Sequence, residues 1–171
     1  MLHSAKQAVS TLTNDKPHTA TSQWIEILSG PKYSEDDYEG LPELIESIRL
    51  QPTTGATECS RALRKKLKYS SVAGQLRALT ILNALVVNCG TRFQVTFAND
   101  QLVERIKYMA GDPLCDEKVK RKLMSILKSW SSQFAKDPKM HTVAGLYVAC
   151  GGGKSVRPPI SSYHFVSSPL L

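Results

Sequence analysis

The stretch QLRALTILNALVVN, residues 75–88, decides the fold of this chain. Apolar residues occupy it almost without interruption, so a helix formed here has no continuous polar face to turn towards water. A helix that is apolar all round has to be covered by neighbours on every side. Gly90 follows directly and is typical of a helix C-terminus. The stretch therefore predicts a central, buried helix around which the other elements pack.

Three amphipathic helices are predicted before this stretch, because apolar residues recur there at helical spacing. Their apolar positions, in chain order, are Trp24, Ile25 and Leu28; Leu41, Leu44, Ile45 and Ile48; and Ala56, Cys59, Leu63 and Leu67. Thr21 or Ser22 is predicted to cap the first helix. Pro52 ends the second helix, and the third begins near Thr54 with basic residues on its remaining sides.

Four more helices are predicted after the central one. Two are short, at residues 93–97 and 102–109, and a long amphipathic helix follows with Asp116 as its N-cap. A last helix is predicted from residue 139 to about residue 150. Strict alternation of apolar and polar residues, the pattern of a strand, is not found over any convincing length. The predicted fold class is all-α, with about eight helices joined by short turns in a superhelical stack.

The length of 171 residues suits one domain with two appendages. Residues 1–18 are polar and without a sustained period, which predicts a flexible N-terminal arm. Residues 151–171 are rich in Gly, Ser and Pro, which predicts a disordered tail. The folded domain is therefore expected at residues 19–150.

The chain is basic, with 22 Lys and Arg against 15 Asp and Glu and a formal net charge of +7. The excess is concentrated at residues 61–68 and 118–122, whereas residues 35–46 are acidic. Such a run is usually a solvated helix face. The functional alternative is an anionic membrane surface, where each Lys or Arg near the headgroups contributes about 1 kcal/mol. Nucleic acid is not expected as a partner, because no aromatic platform is interleaved with the basic residues.

Catalysis is not predicted, nor is a cofactor or a metal. A phosphate-binding loop ending at residues 153–155 would need a glycine at position 148, which is Val148. The acidic pairs Asp36/Asp37 and Asp116/Glu117 lie at loop-to-helix junctions, where carboxylates favour the helix dipole. The remaining alternative is an enzyme whose nucleophile and base lie far apart in the sequence and are brought together only by the fold.

Several motifs resemble the signature of VHS domains, in that family's order and spacing. They are ALRKKLK at residues 62–68, QLRALTILNALV at 75–86, NCG at 88–90 with Phe93, and Ser129-Trp130 followed by Phe134, Asp137 and Pro138. The resemblance covers about residues 20–150. It implies a right-handed superhelix of eight helices and a non-catalytic interaction module that binds ubiquitin or cargo.

Three further stretches are similar to the fungal VHS–GAT adaptors that bind the yeast WASP homologue. They are WIEIL at residues 24–28, the acidic linker at 33–40, and GATECSRA at 55–62. This likeness implies an endocytic adaptor at the plasma membrane, at cortical actin patches or on endosomes. The implied partners are ubiquitin or ubiquitinated cargo, actin-regulatory endocytic proteins such as the WASP homologue, and an anionic membrane surface. A GAT domain would follow the VHS domain in that group, so this chain is expected to be a truncated form.

The resemblance also suggests where ubiquitin would bind. In ubiquitin-binding VHS domains the contact surface lies on the second and fourth helices, which here implies Leu41, Leu44, Asn83 and Val87. A tryptophan usually stands early in the second helix, and Leu41 takes its place in this chain. The acidic-dileucine pocket of the Golgi adaptor branch has no matching residue pattern here.

The alternative function is phosphoinositide binding by the basic third helix. The candidate residues for headgroup contact are Arg61, Arg64, Lys65 and Lys68.

Overall fold

Eight α-helices make up the described part of the chain. The computed structural model describes residues 19–97 and 101–153. The helices are α1 (Ala20–Leu28), α2 (Leu41–Leu50), α3 (Gly55–Tyr69), α4 (Val72–Cys89), α5 (Thr91–Phe97), α6 (Gln101–Gly111), α7 (Glu117–Gln133) and α8 (His141–Ala149), with a 3-10 turn at Pro138–Met140. These two segments contain no strand, which confirms the all-α prediction. The predicted arm at residues 1–18 and residues 154–171 of the predicted tail lie outside the described residues.

Helix α4 is the centre of the stack, as its apolar sequence predicts. It packs against α2, α3, α5 and α7. Ten of its residues, from Leu76 to Val86, are buried. Among the described helices, α4 alone is also long and apolar enough to cross a membrane by length and hydropathy. Its burial under four neighbouring helices accounts for that composition, because the core helix of a globular protein needs the same residues.

The N-terminus of α1 differs from the prediction. Thr19, rather than Thr21 or Ser22, is the N-cap. Its hydroxyl accepts from the Ser22 backbone N–H at 3.2 Å, and the Ser22 hydroxyl accepts from the Thr19 N–H at 2.9 Å. This reciprocal pair is a capping box, which satisfies two backbone donors at once. Thr21 and Ser22 are instead buried within the helix.

A buried arginine of α4 anchors the connection between α1 and α2. Arg77 is 2% exposed, and its Nε donates to the Leu28 carbonyl at 2.7 Å. Its guanidinium also donates to the Asp37 carbonyl and lies 5.4 Å from the centroid of the Tyr33 ring. Burial lowers the pKa of Arg77, and the nearby charge of Asp37 opposes that shift. One side chain thus fixes both ends of the connection.

Lys122 of α7 also anchors this connection, through ion pairs. Its Nζ lies 2.6 Å from Glu35 Oε1 and 2.9 Å from Asp36 Oδ1. The basic run at residues 118–122 suggests a solvated helix face, and Lys122 departs from this expectation: its side chain is 17% exposed because the acidic connection covers it. Gly40 then enters α2 with φ +76°, and a Cβ there would lie 2.5 Å from Leu28 Cδ2. Any other residue at this turn would be strained.

Candidate functional site

An uncharged groove lies between α2 and α4, and we call it the α2–α4 groove. Its volume is about 300 Å³. The residues that line it are Tyr38, Leu41, Pro42, Ile45, Asn83, Ala84, Val87 and Asn88. Apolar side chains form most of its wall, and two asparagine side chains add hydrogen-bonding groups. Such a surface can accept the apolar surface of a partner and orient it through a few polar groups.

Three of the four residues predicted for ubiquitin contact meet in this groove. Leu41, Asn83 and Val87 all line it, although they come from two helices. Leu41 is almost completely buried, whereas Val87 is 42% exposed. Val87 is therefore the predicted residue that a partner reaches most directly.

Leu44 does not belong to the groove, which corrects our prediction. Its side chain is fully buried in the hydrophobic core. Three residues after Leu41 on the same helix, Leu44 points towards the interior, while Pro42 and Ile45 reach the groove wall. A partner at this surface cannot touch Leu44, which contributes by packing only.

Asn83 is oriented by a hydrogen bond beneath the groove. Its Oδ1 accepts from Nε1 of Trp130, a fully buried residue of α7, at 2.8 Å. An indole N–H can only donate, so the amide oxygen of Asn83 has to face Trp130. The side-chain NH₂ group of Asn83 is then what this residue can offer to a ligand.

Tyr38 is the groove residue that sequence reasoning missed most clearly. It lies in the connection before α2, outside any periodic pattern, and its side chain is 59% exposed. Its position depends on Arg77, which holds the neighbouring Asp37 carbonyl. This contact joins residues forty positions apart in the sequence, so no local signal indicates that Tyr38 reaches the groove.

A second, strongly basic groove lies between α3 and α6, and we call it the basic groove. Its volume is about 680 Å³. The residues that line it are Arg61, Arg64, Lys65, Lys68, Tyr69, Gln101, Arg105 and Tyr108. All four residues predicted for phosphoinositide contact are among them. Arg105 and Tyr108 were missed because the packing of α6 on α3 brings them to the cluster, and Tyr69 was missed at the end of α3 itself.

Two of the cations on α3 form ion pairs with carboxylates. Arg61 pairs with Glu58 one turn away, and Lys66 pairs with Glu26 of α1 at 2.5 Å. Within residues 19–97 and 101–153, the other cations of the basic groove make no ion pair with a carboxylate; they are Arg64, Lys65, Lys68 and Arg105. The groove therefore presents concentrated positive charge.

The positive charge of the basic groove changes the pKa of Tyr69, one of its two tyrosines. Lys68 Nζ lies 4.8 Å from the centroid of the Tyr69 ring. A hydrogen bond from Lys68 and its positive charge lower the pKa of Tyr69, with smaller contributions from Arg64 and Arg105. The cations around Tyr69 thus favour its anionic form, as they favour other anions.

The acidic pairs considered for catalysis have structural roles. Asp116 Oδ1 accepts from the Lys118 N–H and caps α7, as predicted. Asp36 pairs with Lys122, and Asp37 Oδ1 accepts from the Glu39 N–H at 2.8 Å. In the part of the chain that the structure describes, no group of three or more His, Cys, Asp and Glu residues could hold a metal ion.

Comparison with known proteins yields one family and several curated relatives. The family model described as "VHS domain" matches residues 15–152. "Protein lsb5" of Schizosaccharomyces pombe is 33% identical over 130 residues, which cover 76% of this chain and 42% of that protein. "LAS seventeen-binding protein 5" of Saccharomyces cerevisiae is 36% identical over 101 residues, 57% of this chain and 28% of that protein.

A third relative comes from protein sorting. "Class E vacuolar protein-sorting machinery protein HSE1" of Yarrowia lipolytica is 24% identical over 112 residues, 66% of this chain and 16% of that protein. The chain thus spans less than half the length of each of these three relatives.

Proposed function

The chain belongs to the VHS domain family, and from that premise we propose that it is a non-catalytic module of a vesicle-trafficking adaptor that binds ubiquitin through the α2–α4 groove. The names of the relatives support the adaptor role, since one is a vacuolar protein-sorting protein and another a LAS seventeen-binding protein. We extend the proposal to a peripheral cytoplasmic location, at cortical actin patches or endosomes, and to the WASP homologue as a further partner.

The observation that carries the ubiquitin proposal is the convergence of Leu41, Asn83 and Val87 in one uncharged groove. The resemblance implied the second and fourth helices as the contact surface, and the groove lies between these helices. Its wall of mostly apolar side chains with a few polar groups suits a protein interface. A groove of about 300 Å³ offers few contacts, so we expect weak binding.

Tyr38 is our candidate for the aromatic contact of this surface. The tryptophan usual in ubiquitin-binding VHS domains is replaced by Leu41, which is almost completely buried. Tyr38 lines the same groove and is largely exposed. Aromatic side chains with one apolar body and one polar end are favoured at interfaces.

Replacing Val87 by aspartate is expected to weaken ubiquitin binding at least tenfold. The charge would have to be buried against the partner without a compensating group, which costs more than the lost valine contact. Val87 is partly exposed in the free protein, so we expect the fold to survive. The measurement is a titration of the nitrogen-15-labelled chain with ubiquitin, followed by chemical shift.

The matched control for this titration is Val148→Asp. Val148 is also an exposed valine on a helix, 68% accessible, but it lies on α8 and outside the groove. Binding by Val148→Asp should equal that of the wild type. Equal binding by Val87→Asp and the wild type would rule out the α2–α4 groove as the contact surface.

A second candidate function is phosphoinositide binding through the basic groove. The convergence of Arg61, Arg64, Lys65 and Lys68 on one concave surface supports it. At about 1 kcal/mol for each basic residue near the headgroups, such a cluster can hold a small domain at a membrane in low salt.

Sedimentation with vesicles tests this second function. We expect the chain to sediment with phosphatidylcholine vesicles that contain phosphatidylinositol bisphosphate, and not with phosphatidylcholine alone. The double variant Arg64→Gln/Lys68→Gln should lose most of this binding. The control, Lys118→Gln/Arg121→Gln on α7, removes the same charge from outside the basic groove and should keep it. Equal loss in both variants would show a general charge effect instead.

A further inference from the structure

We infer that the basic groove is a discrete site for a ring bearing several phosphate groups, such as an inositol polyphosphate, and that Arg105 of α6 is its anchoring residue. This inference rests on the second candidate function, and it differs from a diffuse attraction to anionic membranes. It names the ligand chemistry, phosphomonoesters clustered on one small molecule, whether free or at the head of a lipid.

The groove has the size and the two-sided shape of a small-molecule site. Its volume of about 680 Å³ lies within the usual range for ligand pockets, about 300–1,000 Å³. Arg64 and Lys68 reach it from α3, and Arg105 reaches it from α6. Cations on opposite walls can contact several phosphates of one ligand at once, whereas a flat membrane surface would meet only outward-pointing side chains.

Arg105 is held in place before any ligand binds. Its Nη2 donates to the Leu67 carbonyl at 3.1 Å, and its Cζ lies 5.0 Å from the centroid of the Tyr108 ring. Its Nε is buried and has no hydrogen-bond partner among the described residues. The contacts with Leu67 and Tyr108 thus orient the guanidinium, and a planar fork of donors that is already oriented binds phosphate well.

The lining of the groove contains positive charge and no carboxylate. Five of its eight residues are Lys or Arg, and the other three are Gln101, Tyr69 and Tyr108. The nearest acidic residues along the two helices are engaged, Glu58 with Arg61 and Glu104 with Lys107 at 3.2 Å. Both tyrosines are largely exposed, so their hydroxyl groups can donate to phosphate oxygens or ring hydroxyls.

The test measures binding of soluble inositol hexakisphosphate and of inorganic phosphate by calorimetry. We expect the wild type to bind the hexakisphosphate at least tenfold more tightly than inorganic phosphate. Arg105→Gln should weaken hexakisphosphate binding at least tenfold. The control Arg121→Gln removes the same charge from an exposed site on α7 and should change binding less than twofold. Arg105→Lys should restore only part of the affinity, since it returns the charge without the fork.

Circular dichroism and thermal unfolding of Arg105→Gln check that the fold survives. The Leu67 carbonyl keeps its hydrogen bond from Gln75 Nε2 at 2.9 Å, so a folded protein is expected. If Arg105→Gln does not fold, Tyr69→Ala, an exposed wall residue, replaces it and is expected to weaken hexakisphosphate binding several-fold. Equal weakening in Arg105→Gln and Arg121→Gln would overturn the inference.

Vesicles separate this inference from the function on which it rests. Equal sedimentation with phosphatidylserine and with phosphatidylinositol bisphosphate at matched charge, without competition by the hexakisphosphate, would overturn the discrete site and leave the membrane function standing. Conversely, hexakisphosphate binding that depends on Arg105, without sedimentation on any anionic vesicle, would support the site and rule out the membrane function. Sedimentation specific to the bisphosphate and abolished by the hexakisphosphate would support both.

Discussion

Replacing Trp130 by alanine is expected to lower the free energy of unfolding by about 4 kcal/mol. Trp130 is fully buried in α7, which packs on both α4 and α8. Truncation of a buried tryptophan loses its transfer free energy and leaves a cavity, which together cost about 3–5 kcal/mol. The Asn83 oxygen would also lose its indole donor. Urea denaturation followed by circular dichroism measures the change.

The variant Trp130→Phe separates packing from the hydrogen bond. Phenylalanine fills most of the same space but cannot donate to Asn83, so we expect a smaller loss of about 1–2 kcal/mol. It should also weaken ubiquitin binding, because Asn83 is then free to turn. A loss below about 1 kcal/mol for Trp130→Ala would contradict the packing role that we assign to this residue.

Replacing Arg77 by alanine is expected to lower the free energy of unfolding by about 3 kcal/mol. The Leu28 and Asp37 carbonyls would both lose their guanidinium donor. Each polar group left without a partner in a buried site costs about 1–3 kcal/mol, and relief of the buried charge offsets part of that sum. The same denaturation experiment measures it.

A matched control for Arg77 is Lys122→Ala, which frees the same connection from its other anchor. Its ion pairs with Glu35 and Asp36 are near the surface, so the expected loss is below about 1 kcal/mol and shrinks further in high salt. Arg77→Ala should in addition weaken ubiquitin binding, because Tyr38 would no longer be held at the groove. Equal losses for the two variants would mean that Arg77 is not the main anchor of the connection.

The stack of helices was predictable because its signals are local. The apolar run at residues 75–88 predicts a covered helix, and α4 is covered. Helical spacing placed Leu41 and Leu44 on one apolar face of α2, and both are buried. The resemblance placed Leu44 on the contact surface as well. At Leu44 the helical spacing predicts burial correctly, because it indicates which side of α2 faces the core.

Much of the two grooves could not be predicted, because their residues meet through long-range contacts. Pairing over long range also decides which cations stay available: nothing in the sequence distinguishes Lys66 from the groove residues Lys65 and Lys68, yet Glu26 of α1 pairs with it. Arg105 comes from a helix that carries no basic run, and only the packing of α6 on α3 brings it to the basic groove. Tyr38 depends in the same way on Arg77.

The central claim is that ubiquitin binds in the α2–α4 groove, and a nitrogen-15 correlation spectrum of the wild-type chain tests it most directly. With added millimolar ubiquitin, we predict shifts that concentrate at Tyr38, Leu41, Asn83 and Val87 and that leave α6 and α8 unchanged. Absence of shifts at this concentration, or shifts concentrated on α8, would contradict the account.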